Sequence, residues 1–348
     1  MNKWVCILLV AVCWGCTNRS ETEKYQYKRD NVILVKDKLQ AIQIDSLRLS
    51  TLCDLNILDD YLLITDRHTY DHHVNIFDKT TFHYITSIAY PGWNIGEIEK
   101  LEGVNVDNAH RKFEIIDTGK EKLFSYDLDS ALVNPDYIPE EKLTVHLNKF
   151  LNPYKYINDT LSMGVIIEHV AYSIFENSIG LQNMNTGELT AMPYTHPGVK
   201  RKQVAADVSP EHGLYAECYV EQNLMTVCTL DGKLKANVYG GQNWMENEDG
   251  RIIYYQQVAF VGDKIFALYL KGNARALNPT VGEVKNRASR FLVFDLDGNY
   301  IATLETRNQI DSFCYDKTNN RIIMNIIIDE KPQFVYLVLD GLIEAAIH

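Results

Sequence analysis

The sequence predicts an all-β chain folded as a six-bladed β-propeller, with four-stranded antiparallel blades and an N-terminal strand that closes the last blade. Three observations carry this. From about residue 50 onward, short β-branched and aromatic runs are separated by Asp, Asn, Thr, Ser or Gly turns. One strand-and-turn signature recurs six times, with turns at Thr80, Asp129, Thr186, Asp231, Asp297 and Asp340. The intervals of 43 to 66 residues give each unit room for four strands and match the period of blade repeats. Several runs, Arg321–Ile328 above all, are apolar throughout, which is how strands covered on both faces read. A blade sandwiched between two others meets that condition. A β-sandwich, or a pair of them, is the other all-β arrangement and has no need of six similar units.

Residues 1–15 read as a secretory leader. Lys3 supplies the positive start, and Trp4–Cys13 is an apolar stretch too short to span a bilayer comfortably. Gly15 places a small residue directly before Cys16, the layout of a bacterial lipoprotein signal, so Cys16 is the expected lipidation site and first mature residue. Several acyl chains make a stable attachment, since each buried CH2 contributes about 0.8 kcal/mol. Cys13-Trp14-Gly15-Cys16 also spells a C-x-x-C redox motif, but that chemistry needs a helix start in a thioredoxin-like fold. An uncleaved leader would equally place the rest of the chain outside the cytoplasm. Residues 16–30 follow as a flexible tether, and residues 31–348 form the propeller.

The propeller opens with two leftover β-type runs, Val32–Val35 and Ala41–Ile44. An unpaired sheet edge exposes backbone donors and acceptors, so residues 31–46 are expected to join the blade of Arg321–Ile328 and Phe334–Leu339. Thr17–Tyr27 is expected to be dispensable for stability. The first unit then reads Leu55–Leu58, Leu62–Thr65 and Val74–Asp78; the second reads Val104–Val106, Phe113–Ile116 and Leu123–Asp127. Glu140–Leu147 is the one stretch that suits a short helix, and it suits a loop equally well. Ile179–Met184 belongs to the third unit, Tyr215–Val220 and Met225–Leu230 to the fourth, and Val258–Val261, Ile265–Leu270 and Phe291–Leu296 to the fifth. Phe313–Tyr315, Arg321–Ile328 and Phe334–Leu339 make the sixth. Asp-Gly at positions 231, 297 and 340 is tight-hairpin chemistry, because both central residues can take positive φ.

The net charge of −12 and the absence of a basic run longer than Lys200-Arg201-Lys202 exclude nucleic acid as a partner, since that affinity rests on neutralising phosphates. No later apolar run approaches the 18 residues of a second membrane span. Besides Cys16, the mature chain holds Cys53, Cys218, Cys228 and Cys314, too few for a disulfide scaffold. Cys218 and Cys228 lie in two arms of one hairpin. A three-residue loop would set them opposite each other as a disulfide, and a two-residue loop would leave two buried thiols.

Loops between second and third strands, and those joining blades, gather on one face of a propeller, and long loops carry function on rigid scaffolds. That face receives Asp66–His72, Gly92–Lys100, Pro197–Lys202, Gly240–Asp249 and the insert Lys271–Arg290. His68 and His72 could converge as metal or acid–base groups if their loop turns helically. Trp93, Trp244, Tyr254 and Tyr255 are flat groups suited to stacking on a sugar or peptide, or to filling between blades. Asp66 and Asp117 close the second strands of successive units and would either line the channel mouth or satisfy turn backbone. No nucleophile elbow, phosphate loop, dinucleotide fingerprint or zinc spacing occurs, and no cofactor is expected.

The leader, the six units and Gly92-Trp93-Asn94-Ile95-Gly96-Glu97 resemble the TolB-like six-bladed propeller lipoproteins of Gram-negative gut-dwelling anaerobes. Those proteins commonly carry a G-x-G-P-G-E-like stretch at this junction. Gly92, Gly96 and Glu97 match it, while Asn94 and Ile95 stand in place of the middle Gly-Pro. The resemblance implies a lipid-anchored protein of the cell envelope, at the outer membrane, with either leaflet open. The expected function is a non-enzymatic module that binds an envelope protein, peptide or glycan through the loop-rich face. A metal-dependent hydrolase or lyase with its site at the channel mouth is the alternative.

Overall fold

Six four-stranded sheets follow one another along the chain and form a closed ring. The computed structural model describes residues 21–44, 47–171, 174–247, 252–273 and 289–343; the leader, Cys16 and most of the Lys271–Arg290 insert lie outside them. Blade 1 comprises Cys53–Leu58, Tyr61–Asp66, Val74–Asp78 and Tyr84–Ile88, and blade 2 comprises Leu101–Asp107, Lys112–Asp117, Lys122–Asp127 and Glu140–Thr144. Blade 3 runs from Lys149 to Ala191, blade 4 from Val204 to Tyr239 and blade 5 from Ile252 to Glu305, each with four antiparallel strands of its own. Blade 6 takes three strands, Gln309–Asp316, Arg321–Ile328 and Lys331–Val338, from the C-terminal part of the chain. Its fourth is Gln40–Ile42, antiparallel to Lys331–Val338 with Ile42 opposite Phe334. The expected ring closure is therefore present and is made by Gln40–Ile42 alone; Val32–Leu34, expected in the same blade, pairs with blade 5 instead, beside Thr303–Glu305. Among the described residues no helix is long and apolar enough to cross a membrane.

The recurring turn signature has a local cause. An Asp or Asn at the end of a strand turns its side chain back onto the following backbone, as Asp78 does to the N–H groups of Thr80 and Thr81, Asn183 to Asn185 and Thr186, and Asp295 to Asp297 and Asn299. At Asp231-Gly232 and Asp297-Gly298 only the glycine takes positive φ (81° in each), and a bulge follows in the strand pairing. These are turns with a bulge, not the two-residue hairpins expected. The sixth copy, Asp340-Gly341, ends a strand whose outer neighbour comes from the other end of the chain, so it makes no hairpin.

A further expectation is corrected, and of the two alternatives for Cys218 and Cys228 the free thiols hold. Glu140–Thr144 is the outer strand of blade 2, not a helix, because Leu143 and Thr144 pair with Leu123 and Lys122. The α-helix lies just before it, Leu128–Val133, where the Asp127 side chain caps it by accepting the Ser130 N–H. Cys218 and Cys228 are both buried free thiols. The pairing sets Cys218 opposite Met225 and Cys228 opposite Tyr215, so the two point to opposite faces of the sheet and into different core clusters.

Neighbouring blades are stitched along the channel by side chains of the innermost strands. Asn105 accepts from the Tyr154 N–H at 2.8 Å, and Asp207 bridges Lys155 at 2.7 Å while accepting from the Phe260 N–H at 2.8 Å. Gln257 binds both backbone groups of Phe313, and Ser312 donates to the Cys53 carbonyl. The closing seam between blades 6 and 1 adds the buried Arg321, held by Asp316, by the Lys79 carbonyl and between the rings of Phe82 and Tyr336.

The tether expected over residues 16–30 is ordered from Thr22 onward in a strap across three blades. Glu23–Tyr25 adds a fifth, parallel strand to blade 4, Val32–Leu34 does the same for blade 5, and Gln40–Ile42 completes blade 6. Glu23 is fixed by the Tyr239 hydroxyl and, at 2.9 Å, by the Asn237 amide. Arg29 reaches in to Asn223 and lies over the Tyr269 ring. The dispensability expected of Thr17–Tyr27 loses its basis at Glu23–Tyr25.

Candidate functional site

The loops of blades 1 and 2 form the most exposed aromatic surface among the described residues. The loop after Tyr61–Asp66 and the segment Leu47–Ser50 together line an open cavity of about 560 Å³. Asp66 holds the two together. Its carboxylate accepts the Ser50 N–H at 2.7 Å, the Ser50 hydroxyl at 2.6 Å and the His68 N–H at 2.9 Å. Asp117 has the same job in blade 2, accepting four backbone N–H groups from Glu99, Lys100, Gly119 and Lys120 at 2.8–3.1 Å. Both carboxylates are buried and bound to backbone, so they brace loops and do not line the channel mouth.

His68 and His72 both line the cavity, His68 exposed and His72 half-buried. His72 bonds Asp71 at 2.9 Å and packs its ring 3.9 Å from that of Tyr90. Among the described residues no three His, Cys, Asp or Glu side chains are grouped so as to hold a metal ion. Tyr70, at the tip of the same loop, is fully exposed, and Trp93 and Ile95 are 75% and 85% exposed on the neighbouring loop. Tyr70, Tyr90 and Ile95 carry no sequence signal of their own, because a large apolar side chain in a loop follows no period.

The Gly92–Glu97 segment holds its shape through the motif residues. Glu97 accepts from the Asn94 N–H and amide at 2.8 and 3.0 Å, and the Asn94 side chain, then its backbone, holds the Glu97 carboxyl below its ordinary value. Lys120 donates to the carbonyls of Asn94 and Glu97, both at 2.7 Å. Gly92 sits at φ 156°, and a Cβ there would fall 2.1 Å from a Glu97 carboxylate oxygen. So the matching Gly and Glu are a scaffold, and the residues between them, Trp93 and Ile95, are what the scaffold presents.

Trp244 is placed elsewhere. It packs among Tyr239 and His196, with ring centroids at 5.0 and 5.2 Å, and burial lowers the His196 pKa. Tyr254 and Tyr255 are buried between blades. These three fill the ring. The channel itself encloses about 320 Å³ lined by all six inner strands, and four of its polar side chains, Asn105, Lys155, Asp207 and Gln257, are engaged in the stitches between blades. Toward the loop face, Asp54 is paired with Arg67 at 2.7 Å, and Asp311 is pushed up to about 7 by burial, then by Asp54, with Arg67 opposing.

A family described as a six-bladed β-propeller, DUF5128, matches residues 44–164, which span blades 1 and 2 and the start of blade 3. Among solved structures, a member of the DUF4221 family from Bacteroides vulgatus is 10% identical, with TM-score 0.63, covering 86% of this chain and 95% of that one. Regucalcin, a calcium-binding protein from Agrobacterium tumefaciens, is 11% identical, with TM-score 0.53 and coverage of 88% and 94%. A Bacteroides fragilis protein inferred to be exported is also 11% identical, with TM-score 0.51 and coverage of 91% and 98%. No curated protein matches. At these identities the likeness is one of fold: a six-bladed β-propeller.

Proposed function

We propose that this chain is a binding scaffold of the cell envelope, held outside the cytoplasm by lipid on Cys16, at the outer membrane. It engages a protein, peptide or glycan through the loop face of blades 1 and 2. The observation that carries this reading is the outward placement of Tyr70, Trp93 and Ile95 on loops that Asp66, Glu97 and Lys120 hold rigid. Large aromatic groups cost little conformational entropy on binding and supply most of the contact energy of a recognition surface. Ordered loops on a closed ring keep them preorganised. The resemblance of the leader and of Gly92–Glu97 to the propeller lipoproteins supports the envelope location, as does the exported relative of the same fold.

A photo-crosslinking residue at position 70 or 93, expressed in intact cells, should yield discrete adducts. The same residue at Thr160, in a turn on the opposite face, should yield none. Adducts equal at all three positions, or confined to 160, would contradict the reading.

A further inference from the structure

The strap carries a second exposed surface, distinct from the loops of blades 1 and 2. Tyr25, Tyr27, Val32 and Leu34 are 44–59% exposed in a line along the outer rim of blades 4 and 5. Tyr27 stacks on Tyr25 and Tyr25 on Tyr239, so the exposed rings are backed by the sheet. Residues 21–38 hold Lys24, Lys28, Arg29, Lys36 and Lys38 against Glu21, Glu23, Asp30 and Asp37, so the strap is close to neutral in a chain of net charge −12. Lys28, Lys36 and Lys38 are exposed beside the apolar line, with Asp30 and Asp37 exposed among them.

We propose that this rim is a membrane-contact surface that lies against the headgroups of an anionic bilayer. Two arguments select lipid over a protein occupant. The first is reach. Thr22 is already fixed to blade 4, its carbonyl accepting the Asn237 N–H at 2.7 Å, so at most six residues separate the rim from Cys16. Fully extended, that is about 20 Å. A lipid on Cys16 therefore holds this rim, before any other part of the ring, within a few lipid headgroups of the surface. The second is chemistry. Exposed tyrosines flanked by lysines suit the interfacial layer, where aromatic rings sit at headgroup depth and lysines meet anionic phosphates.

The contact also sets the orientation. In a ring of six, blades 4 and 5 lie across from blades 1 and 2, so the candidate binding loops sit at the edge of the ring farthest from the bilayer and stay open to a partner. The proposal rests on lipidation of Cys16 for its reach, and the test separates the two.

Single cysteines at 27, 34 and 93, labelled with an environment-sensitive fluorophore, are read in the full chain on vesicles of phosphatidylethanolamine and phosphatidylglycerol. Of the native thiols in the described residues, Cys53, Cys218 and Cys228 are buried and Cys314 half-buried, which favours the introduced site. Lipids carrying a quencher near the headgroup should extinguish the labels at 27 and 34 and spare the one at 93. A membrane-bound chain whose labels at 27 and 34 stay bright, or are quenched no more than 93, overturns the rim contact and leaves the lipid anchor standing. The Cys16→Ser chain is run in parallel. If it binds as tightly as the parent with 27 and 34 quenched, the anchor reading fails and the rim contact stands; if the parent chain does not bind at all, both fail.

Discussion

A chain that begins at Leu47 should melt about 10 °C or more below the full mature chain, and should aggregate on heating. It lacks Val35 and Ile42, both buried, the first in the core between blades 5 and 6 and the second against Phe334 and Ile323. Burying a side chain of this size contributes about 1.5–3 kcal/mol, so the pair accounts for roughly 3–6 kcal/mol of a total that is typically about 5–15. For a domain of this size each kcal/mol moves the midpoint by about 2–4 °C or somewhat less. The truncation also strips Gln40–Ile42 from blade 6 and leaves Lys331–Val338 as an open edge. A chain that begins at Lys28 should lose less, only a few degrees. It gives up Glu23–Tyr25 and the Glu23 bonds to Tyr239 and Asn237, worth about 1–3 kcal/mol together, and no fully buried apolar side chain. Calorimetry of the three chains at one pH decides it. Equal midpoints for the chain from Leu47 and the full chain would remove the closing role of the strap.

Asp311→Asn should stabilise the ring above pH 7 by an amount on the order of 2–4 kcal/mol and have no effect near pH 3. The Asp311 carboxyl titrates near 7 when folded, against 3.8 ordinarily, because burial and the neighbouring Asp54 disfavour its ionised form. Between those values the folded state holds a proton that the unfolded state has released. Unfolding then releases a proton, so the stability of the natural chain falls as pH rises from about 4 to about 7 and levels off beyond. Asparagine keeps the shape and cannot ionise, so the difference between the two chains isolates this one group. Asp311 is half-buried, and its contact with solvent keeps the effect below the full value of the shift. Melting of both chains from pH 3 to 8 checks it: a constant offset, or a variant less stable at pH 8, would mean that Asp311 is ionised at no cost in the folded ring.

Much of the ring is legible in the sequence because each blade repeats the same local physics. An Asp or Asn closes a strand, its side chain caps the turn, and an apolar strand follows; Asp78, Asn183 and Asp295 all do this. Strands such as Arg321–Ile328, covered on both sides, need no alternation, and that too is written in the residues. What is not legible depends on distant partners. The run Glu140–Thr144 has no strand pattern of its own and is a strand because Lys122–Asp127 lies beside it, while the helix at Leu128–Val133 follows from one cap at Asp127. The separation of Cys218 and Cys228 is set by register across the sheet, which hairpin spacing leaves open. Of the three short strands of the strap, Val32–Leu34 and Gln40–Ile42 fall on β-type runs, while Glu23–Tyr25 carries no hydrophobic signal and is a strand because Asn237–Tyr239 lies beside it.

At the site, the sequence marks the loops but not the roles of their residues. Asp66 and Asp117 are polar residues at strand ends in either reading, and only the backbone groups around them decide that they brace loops. Trp93 and Trp244 are the same residue type on equivalent connections between blades. One projects because Gly92 and Glu97 fold a tight loop beneath it; the other is packed by His196 and Tyr239.

The central claim, that the loop face of blades 1 and 2 is where a partner binds, is tested most directly by affinity capture from native envelope with three tagged chains. These are the natural chain, Tyr70→Ala with Trp93→Ala, and Thr160→Ala on the opposite face. All three changed side chains are exposed, so their midpoints should agree within about a degree, surface substitutions being worth about 0.5 kcal/mol or less. The natural and Thr160→Ala chains should retain the same partner, and the double variant should lose it, since two central aromatic contacts are worth about 2 kcal/mol or more each. Retention of that partner at full strength by the double variant, with unchanged stability, would contradict the claim.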